Sequence, residues 1–182
     1  MLNQKQIQSL PQLGPPVLTA YLEISPAKAR NQGRTPGYLI YLKSRGQVIA
    51  ARAPREEQKL CKEQLKRVED FLRHEPPRSR GVLVIAGPEA WSVLPLQVGV
   101  EDELHWGRPS LNQLLWLLDE HRPCGAVAID RSGARFLRLW MGEAEEQKAA
   151  EFRLDTSQWR RKDLVPPAHP GMQKTRGSQR DV

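Results

Sequence analysis

The sequence predicts a mixed α/β protein, on three observations. Apolar side chains recur at steps of three and four residues in two segments, which is typical of helices that bury one face. Short apolar runs bounded by Gly and Pro alternate with these segments and indicate strands. From Pro123 onward only strand-like runs follow, which predicts a second structural unit.

The first quarter of the chain predicts a helix, a strand and a loop, in that order. Residues 4–10 form a short helix that the Pro and Gly residues after it end. Residues 17–24 alternate β-forming side chains and predict a strand, while residues 25–36, rich in Pro, Gly, Asn and Arg, predict a loop. Residues 37–42 read as a second short strand, although residues 40–52 fit a helix equally well.

The clearest helix spans residues 55–73. Pro54 fits its first turn, and Glu56 and Glu57 lie at the positive amino end of the helix dipole. Its buried stripe comprises Leu60, Cys61, Leu65, Val68 and Leu72. Residues 82–86 follow as a continuous apolar run, which predicts a central strand covered on both faces.

Two weaker strands and a second helix come next. Residues 91–100 and 103–106 are the strand candidates. Pro109 opens the helix, and its predicted buried stripe comprises Leu111, Leu114, Leu115 and Leu118. Of the five tryptophans, Trp91, Trp106, Trp116 and Trp140 are expected in the core.

The last predicted elements form a three-strand meander. Residues 124–130 and 134–140 read as strands joined by a tight turn at 131–133, in which Asp130 is expected to form the turn rather than act in catalysis. A third strand is predicted within residues 149–154, after a charged turn at 142–146.

The meander has no helix to cover a face, and three strands alone are marginally stable. Either the preceding part of the chain packs on it or the domain is truncated, and truncation is the favoured interpretation. We therefore predict one domain over residues 1–121 and a truncated middle domain over residues 122–182.

The charge of the chain favours a polyanionic partner. There are 28 Lys and Arg residues against 21 Asp and Glu residues, a net charge of +7. Residues 158–182 contain six basic and two acidic residues, so over half of the excess lies there. A solvated, disordered tail is the alternative reading, and it is compatible with RNA contact.

Several classes of function find no support. No apolar run approaches the roughly 18 to 20 residues of a spanning helix, and the amino terminus lacks a signal-peptide pattern, so we expect a cytoplasmic protein without a membrane. Cys61 and Cys124 are expected to be buried thiols rather than a disulfide. The four histidines have no paired spacing, and no phosphate-binding glycine loop occurs, so no metal and no cofactor are predicted.

The order of elements carries a resemblance to a known family. A strand at 81–87, a helix ending at 114–120, a hairpin at 125–136 and then a basic loop resemble the archaeal and eukaryotic class I peptide-chain release factors. The bacterial archaeo-eukaryotic release factor family, subfamily ten, is more similar still. The resemblance spans most of the chain from Val17 onward. It implies a release-factor-like α/β sandwich as first domain and the start of an RNase H-like mixed α/β middle domain.

In these release factors a Gly-Gly-Gln loop follows the third strand of the middle domain. The matching segment here is residues 174–180, where Gly177 and Gln179 correspond to the first Gly and the Gln, and Ser178 replaces the second Gly. The resemblance makes Gly177, Ser178 and Gln179 candidate catalytic residues for hydrolysis of the peptidyl-tRNA ester. The candidate RNA-binding residues are Arg160, Arg161, Lys162, Lys174, Arg176 and Arg180.

Recognition of stop codons is not implied. The family reads them through an Asn-Ile-Lys-Ser loop and a Tyr/Cys/Phe set, whereas residues 41–57 contain only Lys43 and Ser44 of that pattern. The expected partners are the ribosome, with its rRNA and peptidyl-tRNA, and the GTPase partner is unknown. Rescue of stalled ribosomes is therefore the predicted function. A non-catalytic RNA- or ribosome-binding protein and an inactive fragment of a longer protein are the alternatives, and whether the chain is an enzyme stays open.

Overall fold

The computed structural model describes residues 4–130 and 132–151. These residues form a mixed α/β fold, which confirms the predicted fold class. Two single 3-10 turns occupy Leu10–Gln12 and Ala29–Asn31. The helices and strands are α1 (Gln4–Ser9), β1 (Val17–Glu23), α2 (Gly37–Arg52), α3 (Gln58–His74), β2 (Gly81–Ala86), β3 (Trp91–Leu96), β4 (Glu103–Gly107), α4 (Asn112–Glu120), β5 (Cys124–Ile129), β6 (Gly133–Trp140) and β7 (Glu143–Glu151).

The first sheet is antiparallel, with the strand order β3-β2-β1-β4. Every residue of β1 and β2 is buried, so the central strands are covered on both faces, as the continuous apolar run predicts. Successive side chains of a strand point to opposite faces. Leu18 and Leu22 of β1 pack with α2 and α3, whereas Val17 and Tyr21 pack with α4 and the amino-terminal segment.

Helix α2 corrects one prediction. Residues 37–42 do not form a strand, because the helix begins at Gly37 and continues to Arg52, as the alternative reading of residues 40–52 proposes. The carbonyl of Pro36 accepts hydrogen bonds from the amides of Leu39 and Ile40, which starts the helix. The buried positions follow a helical period, and they are Tyr38, Leu39, Leu42, Gly46 and Ala50.

Helix α3 is confirmed, but it starts at Gln58 rather than at residue 55. Pro54 lies in the preceding turn, where its carbonyl accepts from the amides of Glu57 and Gln58 at 2.8 and 3.1 Å. Cys61 is buried, as expected, and burial raises the pKa of its thiol to about 11. Cys124 on β5 is exposed, so the expectation of a second buried thiol is wrong.

Helix α4 is confirmed, and its buried face contains Leu117 in place of the predicted Leu115. It begins at Asn112, three residues after Pro109, and it buries Leu114 and Leu117. Leu115 and Trp116 are 61% and 63% exposed, so the predictions that place them in the core are wrong. Residues three apart share a helix face, and the two positions between Leu114 and Leu117 therefore point away from the sheet.

The second sheet is the predicted antiparallel meander, with the order β5-β6-β7. The predicted boundaries of its third strand are wrong, because β7 begins at Glu143 and the turn consists of Met141 and Gly142. The charged residues at 143–146 belong to the strand. Most of the β7 side chains are exposed, so they can carry charge without desolvation.

Two searches of the described residues bear on function. None of the helices in these ranges combines the length and the apolar content that a bilayer-spanning segment requires. Among the same residues, no group of three or more His, Cys, Asp or Glu side chains is placed to hold a metal ion.

Candidate nucleic-acid interface

The turn between β5 and β6 is held by Asp130. Its Oδ1 accepts from the Ser132 amide at 2.7 Å, the Ser132 hydroxyl at 2.6 Å and the Gly133 amide at 3.0 Å. These hydrogen bonds, the one from the Ser132 hydroxyl first, lower the pKa of the Asp130 carboxyl. Asp130 therefore forms the turn, as the sequence predicts.

The turn between β6 and β7 joins the second sheet to the first part of the chain. Met141 has a positive φ of 50° and Gly142 one of 76°. Met141 is 1% exposed and packs in the cluster that contains Leu96, Val98 and Leu114. A large apolar side chain at the tip of a hairpin thus becomes part of a core built by other strands, which anchors this end of the second sheet.

The opposite end of the second sheet is where β7 finishes. Glu151 pairs with Gly133, and Trp140 pairs with Glu143 beside the anchored turn. Strand β7 therefore ends on the side of the sheet that lies away from the anchored turn. The backbones are close at that end, since a Cβ atom added at Gly133 would lie 2.5 Å from the Ala150 carbonyl oxygen.

The arginines of β6 are already engaged. Arg135 forms a 2.6 Å ion pair with Glu146, and the Arg138 guanidinium lies 5.6 Å from the centre of the Trp140 ring. An RNA phosphate approaching Arg135 would compete with Glu146. The described part of the second sheet is therefore a scaffold rather than a basic surface.

A more basic surface lies between α2 and α3. A cavity of about 660 Å³ opens between the two helices, and a close approach at Gly46 shapes it, since a Cβ atom there would lie 2.8 Å from Leu65 Cδ2. Its polar lining consists of Lys43, Gln47, Gln58, Lys62, Lys66 and Glu69. We call this cavity the lysine groove.

The charge of the lysine groove is positive. Its one carboxylate, that of Glu69, is paired with Arg73 at 2.6 Å. Within residues 4–130 and 132–151, no ion pair holds Lys43, Lys62 or Lys66. Three uncompensated ammonium groups beside two amides are suited to binding phosphates.

Sequence reasoning did not single out the lysine groove. The signal is the four-residue spacing of Lys62 and Lys66, which places both on one face of α3. Lys43 and Ser44 are the two residues that match the codon-reading loop of release factors. Both lie inside α2, where the Ser44 hydroxyl donates to the Tyr41 carbonyl at 3.2 Å, and not in the connection between α2 and α3.

The predicted catalytic and RNA-binding residues all lie beyond Glu151, outside the residues that the structure describes. Their assignment stays a prediction. They are Arg160, Arg161, Lys162, Lys174, Arg176, Gly177, Ser178, Gln179 and Arg180.

Comparison with solved structures finds distant neighbours. An archaeal protein is 12% identical, with a TM-score of 0.48, and the match covers 84% of this chain and 45% of that one. An archaeal translation termination factor is 14% identical, with a TM-score of 0.46, and the match covers 85% of this chain and 45% of that one. This chain thus spans a little under half the length of either structure.

Comparison with proteins of known annotation and with family models gives different results. No curated protein matches the chain. The model of bacterial archaeo-eukaryotic release factor family 10 matches residues 109–181, which include α4, the whole second sheet and all the predicted site residues. Over these residues the chain matches bacterial archaeo-eukaryotic release factor family 10, and this confirms the resemblance inferred from the sequence.

Proposed function

We propose that this protein acts at the ribosome as a release-factor-like protein, and that it hydrolyses peptidyl-tRNA to rescue stalled ribosomes. The observation that carries the proposal is the family match over residues 109–181, because it includes both the second sheet and residues 174–180. Binding to rRNA phosphates in the cytoplasm would also account for the net charge of +7.

The proposed chemistry is ester hydrolysis. The oxygen of a water molecule bonds to the ester carbonyl carbon, and the bond from that carbon to the 3′ oxygen of the tRNA breaks. One proton of the water ends on the 3′ oxygen, and the other stays with the new carboxyl group. The backbone amide of Gln179 stabilises the negative charge that develops on the carbonyl oxygen. Gly177 allows the backbone to come close to RNA. The basic residues 160–162, Lys174, Arg176 and Arg180 hold rRNA phosphates.

The described residues support a division of roles. In this proposal the domain of residues 122–182 carries the chemistry, and its sheet is anchored through the buried Met141. A binding segment mounted on a rigid sheet is positioned better than one on a free chain. The domain of residues 1–121 contributes the lysine groove as a second contact with RNA phosphates.

A non-catalytic RNA- or ribosome-binding protein is the second candidate. Ser178 favours it, because a non-glycine residue is strained at the positive φ that glycine adopts readily. The lysine groove also favours it, since its ammonium groups require no chemistry to bind RNA.

A release assay separates the two candidates. The full chain is added to bacterial ribosomes that hold a labelled peptidyl-tRNA on a message without a stop codon, and both ribosome binding and freed peptide are measured. Gln179→Pro removes the amide donor, Gln179→Ala keeps it, and Gln173→Ala is the matched control outside the matching segment. Release by the unsubstituted chain that Gln179→Pro abolishes would support hydrolysis.

Three other outcomes have clear meanings. Equal release by the unsubstituted chain and Gln179→Pro removes the proposed role of the Gln179 amide in hydrolysis. Binding without release, weakened by salt, establishes the non-catalytic candidate, and failure to bind ribosomes at any salt concentration removes both.

A further inference from the structure

An acidic cavity of about 570 Å³ lies where the end of β1 meets the segment before β4 and the first turns of α4. Its lining comprises Glu23, Lys28, Gly99, Val100, Glu101, Glu103, Gln113 and Trp116. Three carboxylates and one ammonium group give it a negative charge in a chain that carries +7 overall. Such a cavity repels RNA phosphates and attracts cations.

Glu23 is the most informative side chain in this cavity. It is only 5% exposed, and its Oε1 accepts a hydrogen bond from the Ser25 amide at 3.2 Å. Among the described residues, no hydrogen bond or ion pair is formed by Glu23 Oε2. A buried carboxylate costs free energy unless a donor or a cation compensates it, so this oxygen is available to a ligand.

The surroundings of Glu23 Oε2 are open because position 99 is a glycine. A Cβ atom added at Gly99 would lie 3.1 Å from Oε2, and Gly99 itself lines the cavity. The neighbouring guanidinium of Arg30 does not compensate Oε2, because Asp102 holds it through contacts of 2.6 and 3.0 Å. The carboxylate thus faces a space that a donor from outside can reach.

The other two carboxylates are positioned by neutral groups. Glu103 accepts from the Ser110 hydroxyl and from Gln113 Nε2, both at 3.3 Å. Gln113 is itself fixed, since its Oε1 accepts from the Glu101 amide at 2.8 Å. The Glu101 carboxylate forms no ion pair within residues 4–130 and 132–151. Neither Glu101 nor Glu103 has its charge cancelled.

Trp116 forms an aromatic wall of the cavity. It is 63% exposed and lies on the face of α4 that does not contact the sheet. An indole ring beside carboxylates attracts a cation through the negative potential of its face. The cavity therefore combines what a guanidinium requires: acceptor oxygens for its fork of donors and an aromatic surface on which it stacks.

We propose that this cavity binds an arginine side chain of a basic polypeptide segment of a partner protein. The guanidinium lies against Trp116 and donates to the carboxylates of Glu23, Glu101 and Glu103. This site is separate from the lysine groove, and the proposal does not depend on peptidyl-tRNA hydrolysis.

The test is a titration of the full chain with a blocked hexapeptide that has two central arginines, followed by calorimetry. The same peptide with citrulline in place of arginine is the neutral control. At about 50 mM salt the arginine peptide is expected to bind, more weakly as salt rises, while the citrulline peptide does not.

Substitutions locate the site. Trp116→Ala is expected to weaken binding about threefold, and Leu115→Ala, its equally exposed neighbour outside the lining, leaves it unchanged. Glu101→Gln weakens binding, and Glu120→Gln, at the end of α4 and outside the lining, does not. Gly99→Ala keeps every charge and narrows the approach to Glu23 Oε2, so it also weakens binding. Circular dichroism verifies that each variant is folded.

Four results would show that the cavity does not bind arginine. They are no binding of the arginine peptide at low salt, equal binding of the citrulline peptide, equal loss from Leu115→Ala and Trp116→Ala, and no effect of Glu101→Gln or Gly99→Ala. Tighter peptide binding after Arg160, Arg161 and Lys162 are changed to Gln would mean that these residues compete with the peptide for the cavity. The occupant would then be a segment of this chain and not a partner protein.

Discussion

The backbone of Gly142, in the turn between β6 and β7, lies close to the backbone of Gln97, which directly follows β3. A Cβ atom added at Gly142 would lie 2.5 Å from the Gln97 carbonyl oxygen and 2.9 Å from its carbonyl carbon. Gly142 also has a φ of 76°, a conformation that costs free energy for other residues. The joint between the sheets thus depends on the absence of a side chain at one position.

The first prediction is that Gly142→Ala lowers the free energy of unfolding by about 1 to 3 kcal/mol, because it adds strain at φ and a clash with Gln97. Urea unfolding followed by circular dichroism measures the change. Gly125→Ala is the matched control in the second sheet, since nothing lies within 4 Å of its added Cβ atom. Equal stability of the two variants would contradict the contact.

The second prediction concerns pH and the Asp130 turn. Hydrogen bonds from Ser132 and Gly133 lower the pKa of Asp130 below its ordinary value of 3.8. A carboxyl whose pKa is lower in the folded state than in the unfolded state stabilises the fold at pH values above its unfolded-state pKa. This stabilisation is lost as the pH falls through its folded-state pKa. The difference in unfolding free energy between the unsubstituted chain and Asp130→Ala is therefore expected to have its largest value at pH 6. It is expected to become smaller below pH 3.8.

Urea unfolding at both pH values measures that difference. Ser132→Ala removes the largest cause of the shift, so the same comparison made in that background is expected to change less with pH. A pH-independent difference would show that the carboxylate form of Asp130 does not stabilise the turn.

The third prediction is that the lysine groove binds RNA phosphates. Changing Lys43, Lys62 and Lys66 to Gln is expected to weaken binding to ribosomes and to reduce the slope of log affinity against log salt by about two, roughly 0.7 for each lost phosphate contact with single-stranded RNA. Filter binding across a salt series measures the slope. The matched control for Lys62→Gln is Lys59→Gln, because Lys59 is an exposed lysine of α3 that lies outside the groove. Equal effects of these two would contradict a defined site.

Local sequence patterns predict those elements in which residues that are close in sequence also contact one another in space. The β5–β6 hairpin needs only Asp130, Ser132 and Gly133, and β2 needs only its apolar run. Part of α2 is predicted as a strand because Tyr38, Ile40 and Tyr41 favour strands, and the helical period of burial emerges only over 16 residues.

Contacts between distant segments decide the rest, and they leave no local pattern. The leucines of α4 alone do not decide whether Leu115 or Leu117 joins Leu114 in the buried face. Packing against the sheet selects Leu117, and the Leu114 amide donates to the Tyr21 hydroxyl at 3.3 Å. The lysine groove joins two helices, and the acidic cavity joins Glu23 to Gly99 and later residues, 76 or more positions further along the chain. The predicted catalytic residues come from a resemblance alone and lie outside the described residues.

The fourth prediction follows from the proposed function and concerns Ser178. If the backbone at this position takes the positive φ that glycine adopts readily, Ser178→Gly removes a strain of roughly 1 kcal/mol and raises the rate of peptide release about fivefold. The rate is measured under single-turnover conditions with ribosomes in excess, so that binding does not limit it. Ser157→Gly is the control, because it adds the same backbone freedom outside residues 174–180. A slower Ser178→Gly variant would show that the serine hydroxyl contributes to peptide release. An unchanged rate would show that the residue at position 178 does not affect hydrolysis.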